Sequence, residues 1–369
     1  MKAYIPEDIP VSHLDFQRLF KLVGEANGEL ARFDGLLQNL VQPELMLSPL
    51  IIEEAVLSSR IEGTQATIED ILKHDAGVIK SKDKQDDIQE VVNYRSAMNF
   101  ASEQLLTRPL SLGFVREMHQ ILMQSVRGED KSPGQFRTKQ NFIGRPGCTL
   151  ENATFVPPDP IRVQSDIEAW ERYISGDDIE ILLQCAVMHA QFELIHPFND
   201  GNGRIGRLLI PLFLHQKRKL SRPAFYISAY LERNRDDYYG CLRSISQEKD
   251  WNSWIEFFFR AVTAQAKSNC KTVKEILNLY DEMKAVIQET THSQYSIQVL
   301  DAIFQSPIFS SNEFVEKSGL AKKTANGLLL LLKRSEVILE ITPGRGRIPA
   351  LLTFKRLLDI TEGRKIELK

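Results

Sequence analysis

A chain of 369 residues, 43% hydrophobic and 26% charged, is long enough for about two or three domains and too apolar for wholesale disorder. Its formal net charge of −3 is too small to mark the whole molecule as a nucleic-acid or membrane binder, so such a role needs a local patch. Four scattered cysteines, Cys148, Cys185, Cys241 and Cys270, make no C-x-x-C pair, which argues against zinc ribbons and thioredoxin-like sites and fits reduced thiols in the cytoplasm.

Met1 to Asp8 has no apolar signal core, and no run of about 18 apolar residues follows, so neither secretion nor membrane insertion is expected. Helical periodicity dominates from Ser12 to about Ala266. Ser48-Pro49 ahead of Leu50, Ile51, Ile52, Ala55 and Val56 predicts a helix start, ending near Glu62-Gly63. Thr67 predicts the cap of a short helix through Ile68, Ile71 and Leu72. Val91, Tyr94, Ala97, Met98 and Ala101 predict a helix over about Asp87–Leu106, and Leu112–Ser125 predicts another. Arg137–Pro160 changes character. Phe142-Ile143 and Phe155-Val156 flank a polar turn rich in glycine and proline, which predicts a β-hairpin.

Helices are predicted again over Ile161–Ser175 and Asp178–Ile195, the second ending where Pro197 disfavours helical geometry at His196. Helical pattern resumes near Gly203, with a bend expected at Pro211, and returns over Leu231–Ser246 and from Asp250 past Leu277. From Ser293 a second unit begins. Helices over Ser296–Gln305, Ser311–Gly319 and Lys322–Ser335 precede strands at Val337–Ile341 and Ala350–Phe354 around a Pro343-Gly344 tip. Three helices and a glycine-tipped hairpin predict a winged helix-turn-helix domain. The fold class is mainly α.

The loop His196–Arg207 carries the chemistry. Gly201, Gly203 and Gly206 let backbone approach a ligand, and the loop opens onto a helix N-terminus with free amides and a positive dipole end. Arg204 and Arg207, three apart, share one helix face and can grip one polyphosphate. Asp200 supplies the carboxylate a phosphate-bound Mg²⁺ requires, and His196 suits proton transfer near neutrality. Together these predict a phosphoryl- or nucleotidyl-transfer site. An EF-hand reading fails for want of the downstream acidic ligands, and a metal trio of His189, Glu193 and His196 is disfavoured because His189 fits a packing role better.

The segment His196-Pro197-Phe198-Asn199-Asp200-Gly201-Asn202-Gly203-Arg204 resembles the signature of the Fic domain family, and a second arginine follows at Arg207. The likeness extends over about Ser48–Val262. It implies a helical Fic core at 111–266 with a flap hairpin at about 137–157. An N-terminal helical region would occupy 1–110, a connecting helix 267–292 and the winged helix 293–369. It further implies an enzyme that moves AMP from ATP, with Mg²⁺, to a Tyr, Ser or Thr hydroxyl of a protein. In that scheme His196 is the base and Asp200 holds Mg²⁺. Gly201, Asn202, Gly203, Arg204, Ile205, Gly206 and Arg207 line the phosphates, Tyr238 and Tyr239 lie near adenosine, and Phe198 is a core anchor. Ser58-Ser59-Arg60-Ile61-Glu62-Gly63 resembles the family's inhibitory pattern, implying that Glu62 pairs with Arg207 and misaims ATP; about 1 Å of misplacement can cost about a hundredfold in rate. The target is left open, the chain itself included, as is a homodimer.

Other readings stand beside this one: AMP removal, another nucleotidyl or phosphoryl transfer, or a DNA-binding regulator with a nucleotide-sensing core. Gln294–Lys369 carries 12 Lys+Arg against 8 Asp+Glu, a net of +4, and Lys322, Lys323, Lys333, Arg345 and Arg347 are candidate DNA or protein contacts.

Overall fold

The structure, a computed structural model, describes residues 2–77, 84–124, 131–144, 147–345 and 349–363. Met1, Ser125, Arg347 and Lys369, which figure in the expectations above, lie outside them. The chain is mainly helical and divides into two compact units. The first comprises Met1–Gln38, Leu57–Thr64 and Gln89–Lys267, and the second Asn39–Val56, Gln65–Ile88 and Ser268–Lys369.

The first unit is built around α7 (Ile181–Ile195), apolar on nearly all sides and therefore buried, with α6 (Pro160–Ser175), α8 (Asn202–Gln216), α10 (Arg235–Glu248) and α1 (Phe16–Gln38) packed on it. Its backbone is also gripped from outside: Trp170 of α6 donates to the Met188 carbonyl at 2.8 Å, and Trp254 of α11 (Trp251–Thr291) donates to the Ala186 carbonyl at 2.9 Å. The expected helices appear as α4 (Gln85–Gln104) and α5 (Leu112–Leu122), with Val91, Tyr94, Ala97, Met98 and Ala101 all buried. Ser111 caps α5 by accepting from the Phe114 amide.

Two expectations are corrected. Ser48-Pro49 does not start a helix: α2 spans Pro43–Ile61, with Pro43 in its first turn, where a missing N–H costs nothing, and Pro49 inside it. The Ser48 hydroxyl donates to the Gln305 carbonyl rather than capping. Among the described residues the flap is not a ladder either. Ile143 and Phe155 form one isolated bridge, with Ile143 N–H donating to the Phe155 carbonyl at 2.8 Å and Phe155 N–H to the Ile143 carbonyl at 3.0 Å. Pro157, Pro158 and Pro160 remove the donors that would lengthen the second limb. That limb instead meets the N-terminal segment: Tyr4 N–H donates to the Val156 carbonyl at 2.9 Å.

In the second unit, Thr67 and Asp70 form a capping box on α3 (Ile68–Asp75). Further on come α12 (Ser296–Gln305), β1 (Ile308–Ser310), α13 (Ser311–Ser318), α14 (Lys322–Arg334), β2 (Leu339–Thr342), β3 (Leu351–Thr353) and α15 (Lys355–Thr361). β3 lies between β1 and β2, antiparallel to both, with Thr353 opposite Ile308 on one side and Leu339 on the other. Sequence reasoning missed β1, whose three residues are all buried and too few to show alternation.

Candidate active site

The site forms where α7 stops and α8 starts. His196 closes α7 in the left-handed region (φ 50°), and Gly201 precedes α8 in the same region (φ 77°), so the intervening loop turns sharply twice. Asn202 ties the turn shut: its side-chain amide donates to the Phe198 carbonyl at 2.9 Å while its carbonyl oxygen accepts the Phe198 N–H at 2.8 Å. Its side chain is thereby spent on structure, and only its backbone N–H remains for a ligand. Phe198 is fully buried and stacks on His119 at 3.8 Å between ring centroids.

The strain at His196 is held by Arg137. Its guanidinium donates to the His196 carbonyl at 2.8 Å and to the Pro158 carbonyl at 2.6 Å, and its backbone N–H donates to the Pro197 carbonyl at 2.8 Å. His119 holds the other end of the loop, accepting the Gly134 amide at Nδ1 and donating from Nε2 to the Asp200 carbonyl at 2.9 Å. Neither residue stood out in the sequence. Both act from segments far along the chain, through backbone carbonyls that no side-chain pattern betrays.

The hydrogen-bond network fixes the tautomer of His196. Its Nδ1 faces the Glu193 carbonyl at 3.2 Å, and a carbonyl can only accept, so Nδ1 carries the proton and Nε2 keeps a lone pair. Burial, with the neighbouring Arg137 charge, lowers its pKa to about 4, so the ring is neutral at physiological pH. His189 is different. It donates from Nδ1 to the Gly206 carbonyl and accepts the Tyr238 hydroxyl at Nε2, both at 3.0 Å, and burial lowers its pKa to about 3. It fills the packing role expected. Tyr238 is fully buried; of the two tyrosines only Tyr239, its neighbour at 5.0 Å, has accessible surface.

The first turn of α8 presents its uncapped amides beside Arg204 and Arg207, both almost completely buried. Ile205 and Gly206 are buried too, and a Cβ on Gly206 would collide with the Glu193 carboxyl, whose pKa burial raises to about 8. Arg207 is gripped from the end of α2. Its Nε donates to the Ser58 hydroxyl at 2.8 Å, and one terminal nitrogen donates to the Ser58 carbonyl at 2.9 Å and to Glu62 at 2.6 Å. The Glu62 carboxylate lies so close over Gly203 that any Cβ there would strike it. Burial works to raise the Glu62 pKa, but Arg207, helped by Arg204, outweighs it and holds the carboxyl below its usual range. A carboxylate thus lies against the first turn of α8, paired with Arg207.

Asp200 accepts the Gly201 N–H at 2.6 Å and is about half exposed. Among the described residues no group of three or more His, Cys, Asp or Glu could hold a metal ion. One exposed carboxylate fits magnesium nonetheless, since that ion takes most of its ligands from phosphates and water.

Comparison with known proteins agrees with this architecture. The family model described as Fic/DOC family N-terminal matches residues 20–103, and the Fic/DOC family model matches residues 109–214, a stretch that contains the whole loop. The chain belongs to the Fic/DOC family. A probable protein adenylyltransferase of Aquifex aeolicus is 27% identical over 219 residues, 58% of this chain and 63% of its own length. Protein adenylyltransferase fic-1 of Caenorhabditis elegans is 30% identical over 131 residues, 34% of this chain and 24% of its own length. The matches therefore span under two thirds of these relatives. Among solved structures, a Fic family protein from Desulfovibrio desulfuricans G20 superposes with a TM-score of 0.59 at 20% identity, covering 93% of this chain and 97% of that one. Fic-1 from C. elegans superposes at 0.54 and 19% identity, covering 69% of this chain and 72% of that one. These likenesses establish the Fic fold.

Proposed function

We propose that this Fic/DOC protein transfers AMP from ATP to a hydroxyl group of a protein and that Glu62 restrains it. The observation that carries the reading is the His196 tautomer: a neutral ring with its Nε2 lone pair free, beside a glycine-rich helix start with two buried arginines. The substrate hydroxyl attacks the α-phosphorus of ATP while Nε2 takes its proton. The bond from that phosphorus to the bridging oxygen breaks, and pyrophosphate leaves. The α8 amides, Arg204 and Arg207 bind the polyphosphate and neutralise its charge, which supplies most of the catalysis in such transfers. Asp200 is the residue that would hold Mg²⁺, which when bound offsets phosphate charge. Tyr239 borders the adenosine side. The Glu62 carboxylate competes for the position of the terminal phosphate on Arg207.

The names of the relatives support this reading, as does the intact loop. The test is mass spectrometry of the Glu62→Gly protein incubated with ATP, Mg²⁺ and cell lysate. An added adenylyl group on a Tyr, Ser or Thr, absent when His196→Ala is combined with Glu62→Gly, is the expected result. No adduct on the chain or on any lysate protein overturns it.

In the second unit we read α12, α13, α14 and the three-stranded sheet as a winged helix. Lys322, Lys323 and Arg345 are exposed there, which favours nucleic-acid contact. A salt-dependent gel shift with duplex DNA is the expected outcome, and its absence at low salt ends that reading. The four cysteines are free, and we place the protein in the cytoplasm, where they stay reduced. No described helix is long and apolar enough to cross a membrane.

A further inference from the structure

Arg204 has its own carboxylate, distinct from Glu62. Its Nη1 donates to Glu90 of α4 at 3.2 Å, and the two side chains are 3% and 10% exposed. The guanidinium is held most closely at that one edge. Its Nε is buried without a hydrogen-bond partner, and Nη2 faces the Met123 sulfur at 3.8 Å and an Asp200 oxygen at 3.6 Å. A buried arginine has five donors in a rigid fork. Here Nη1 is engaged at hydrogen-bond distance, Nη2 meets the Asp200 carboxylate and the Met123 sulfur only at longer range, and Nε has no partner among the described residues. That is how a fork is arranged when an anion completes it.

Placement supports this. Arg204 is the third residue of α8, so its side chain springs from the same turn whose uncapped backbone amides would draw an anion. Flexible side chains lose rotamer freedom when they grip a ligand, and a fixed partner reduces that loss beforehand. Glu90 is itself seated on a helix and nearly buried. A carboxylate so placed cannot swing aside for a nucleotide as a terminal-turn residue can.

We propose that Glu90 is a positioning residue that aims Arg204 at the polyphosphate and thereby sets the preference of the site for nucleoside di- and triphosphates over the nucleoside. The proposal rests on the nucleotide-site reading of the α8 turn. Glu90 touches no substrate and acts through Arg204.

The test is equilibrium binding of adenosine, ADP and ATP, each with Mg²⁺, by calorimetry. The Glu62→Gly protein is the reference, so that the brake does not mask the result. Glu90→Ala in that background should weaken ATP and ADP by about tenfold or more while leaving adenosine within about twofold. Glu90→Gln, which keeps the shape and one acceptor oxygen, should recover part of the loss and guards against misfolding of the alanine variant. Equal weakening of adenosine and ATP in both variants would mean that Glu90 serves only the fold, and unchanged ATP affinity in both would mean that Arg204 needs no such support; either overturns the proposal. If the reference protein binds ATP no better than adenosine, the phosphate-site reading fails along with it. Retained ATP preference in the reference with retained preference in both variants defeats the Glu90 assignment alone.

Discussion

Two arginines one helical turn apart meet two carboxylates in different ways. Glu62 reaches Arg207 from the residue that follows α2, just before Gly63, and is 31% exposed. Glu90 reaches Arg204 from within α4 and is 10% exposed. Glu62 lies over Gly203 in space an anion would use, whereas Glu90 engages the arginine from one edge. The difference separates a contact that can be displaced from one that is built in: a carboxylate at a helix end moves at little structural cost, while one within a packed helix does not. Ser58 strengthens the first pair by holding Arg207 through both its hydroxyl and its carbonyl, so Arg207 stays in place when Glu62 leaves.

The comparison can be broken most sharply at the base that both pairs serve. With Glu62 replaced by glycine, His196→Ala should lower AMP transfer by about a hundredfold to ten-thousandfold while ATP binding persists; labelled-AMP incorporation and calorimetry report the two separately. Retained transfer would leave neither carboxylate a catalytic meaning. Next in size, Glu62→Gly alone should raise transfer by about a hundredfold, whereas Glu90→Gln alone should not raise it at all. A rise in both would show that the two pairs are alike and that the distinction drawn from burial is wrong. Ser58→Ala sits lower. It removes a hydrogen bond to a charged group, worth about 1.5 to 3 kcal/mol, and should give transfer between that of the wild type and Glu62→Gly. The smallest effect is expected from pH. The Glu62 pKa is lowered, so its bond to Arg207 is present above the usual carboxylate range and is lost only as pH falls through the lowered value. His196, at about 4, is likewise neutral throughout the physiological range. The ratio of Glu62→Gly to wild-type transfer should therefore stay flat from about pH 6 to about pH 8. A ratio that collapses within that window would place the controlling titration elsewhere.

Much of this site was legible because it is local. His196, Asp200, the glycines and both arginines fall within twelve consecutive residues, and the helix periods on either side place them at a helix junction. Glu62 was legible only through its resemblance to an inhibitory pattern, since a glutamate at a helix end is ordinary by itself. Glu90, Arg137 and His119 could not be read. Each acts across a gap of 59 to 114 residues, and a single polar side chain gives no hint of its distant partner. The same limit explains the misplaced start of α2. Ser48-Pro49 has the chemistry of a cap, but Pro43 and Glu44 six residues earlier satisfy the same rule, and packing of Leu45, Met46 and Leu47 extends the helix back to them. The flap erred in the opposite sense, because alternating apolar pairs suggested a ladder that the prolines cut to one bridge.

That single bridge decides which backbone groups of the hairpin are already paired. Phe155 turns its amide and carbonyl toward Ile143, and the next carbonyl, that of Val156, points the other way and is taken by Tyr4. The inner limb is thus lined on both flanks by its own chain. By strand alternation, the outward-facing groups that remain belong to Phe142 and Gly144 on the outer limb. Strand addition to this hairpin, were a partner to use it, would have that limb to follow.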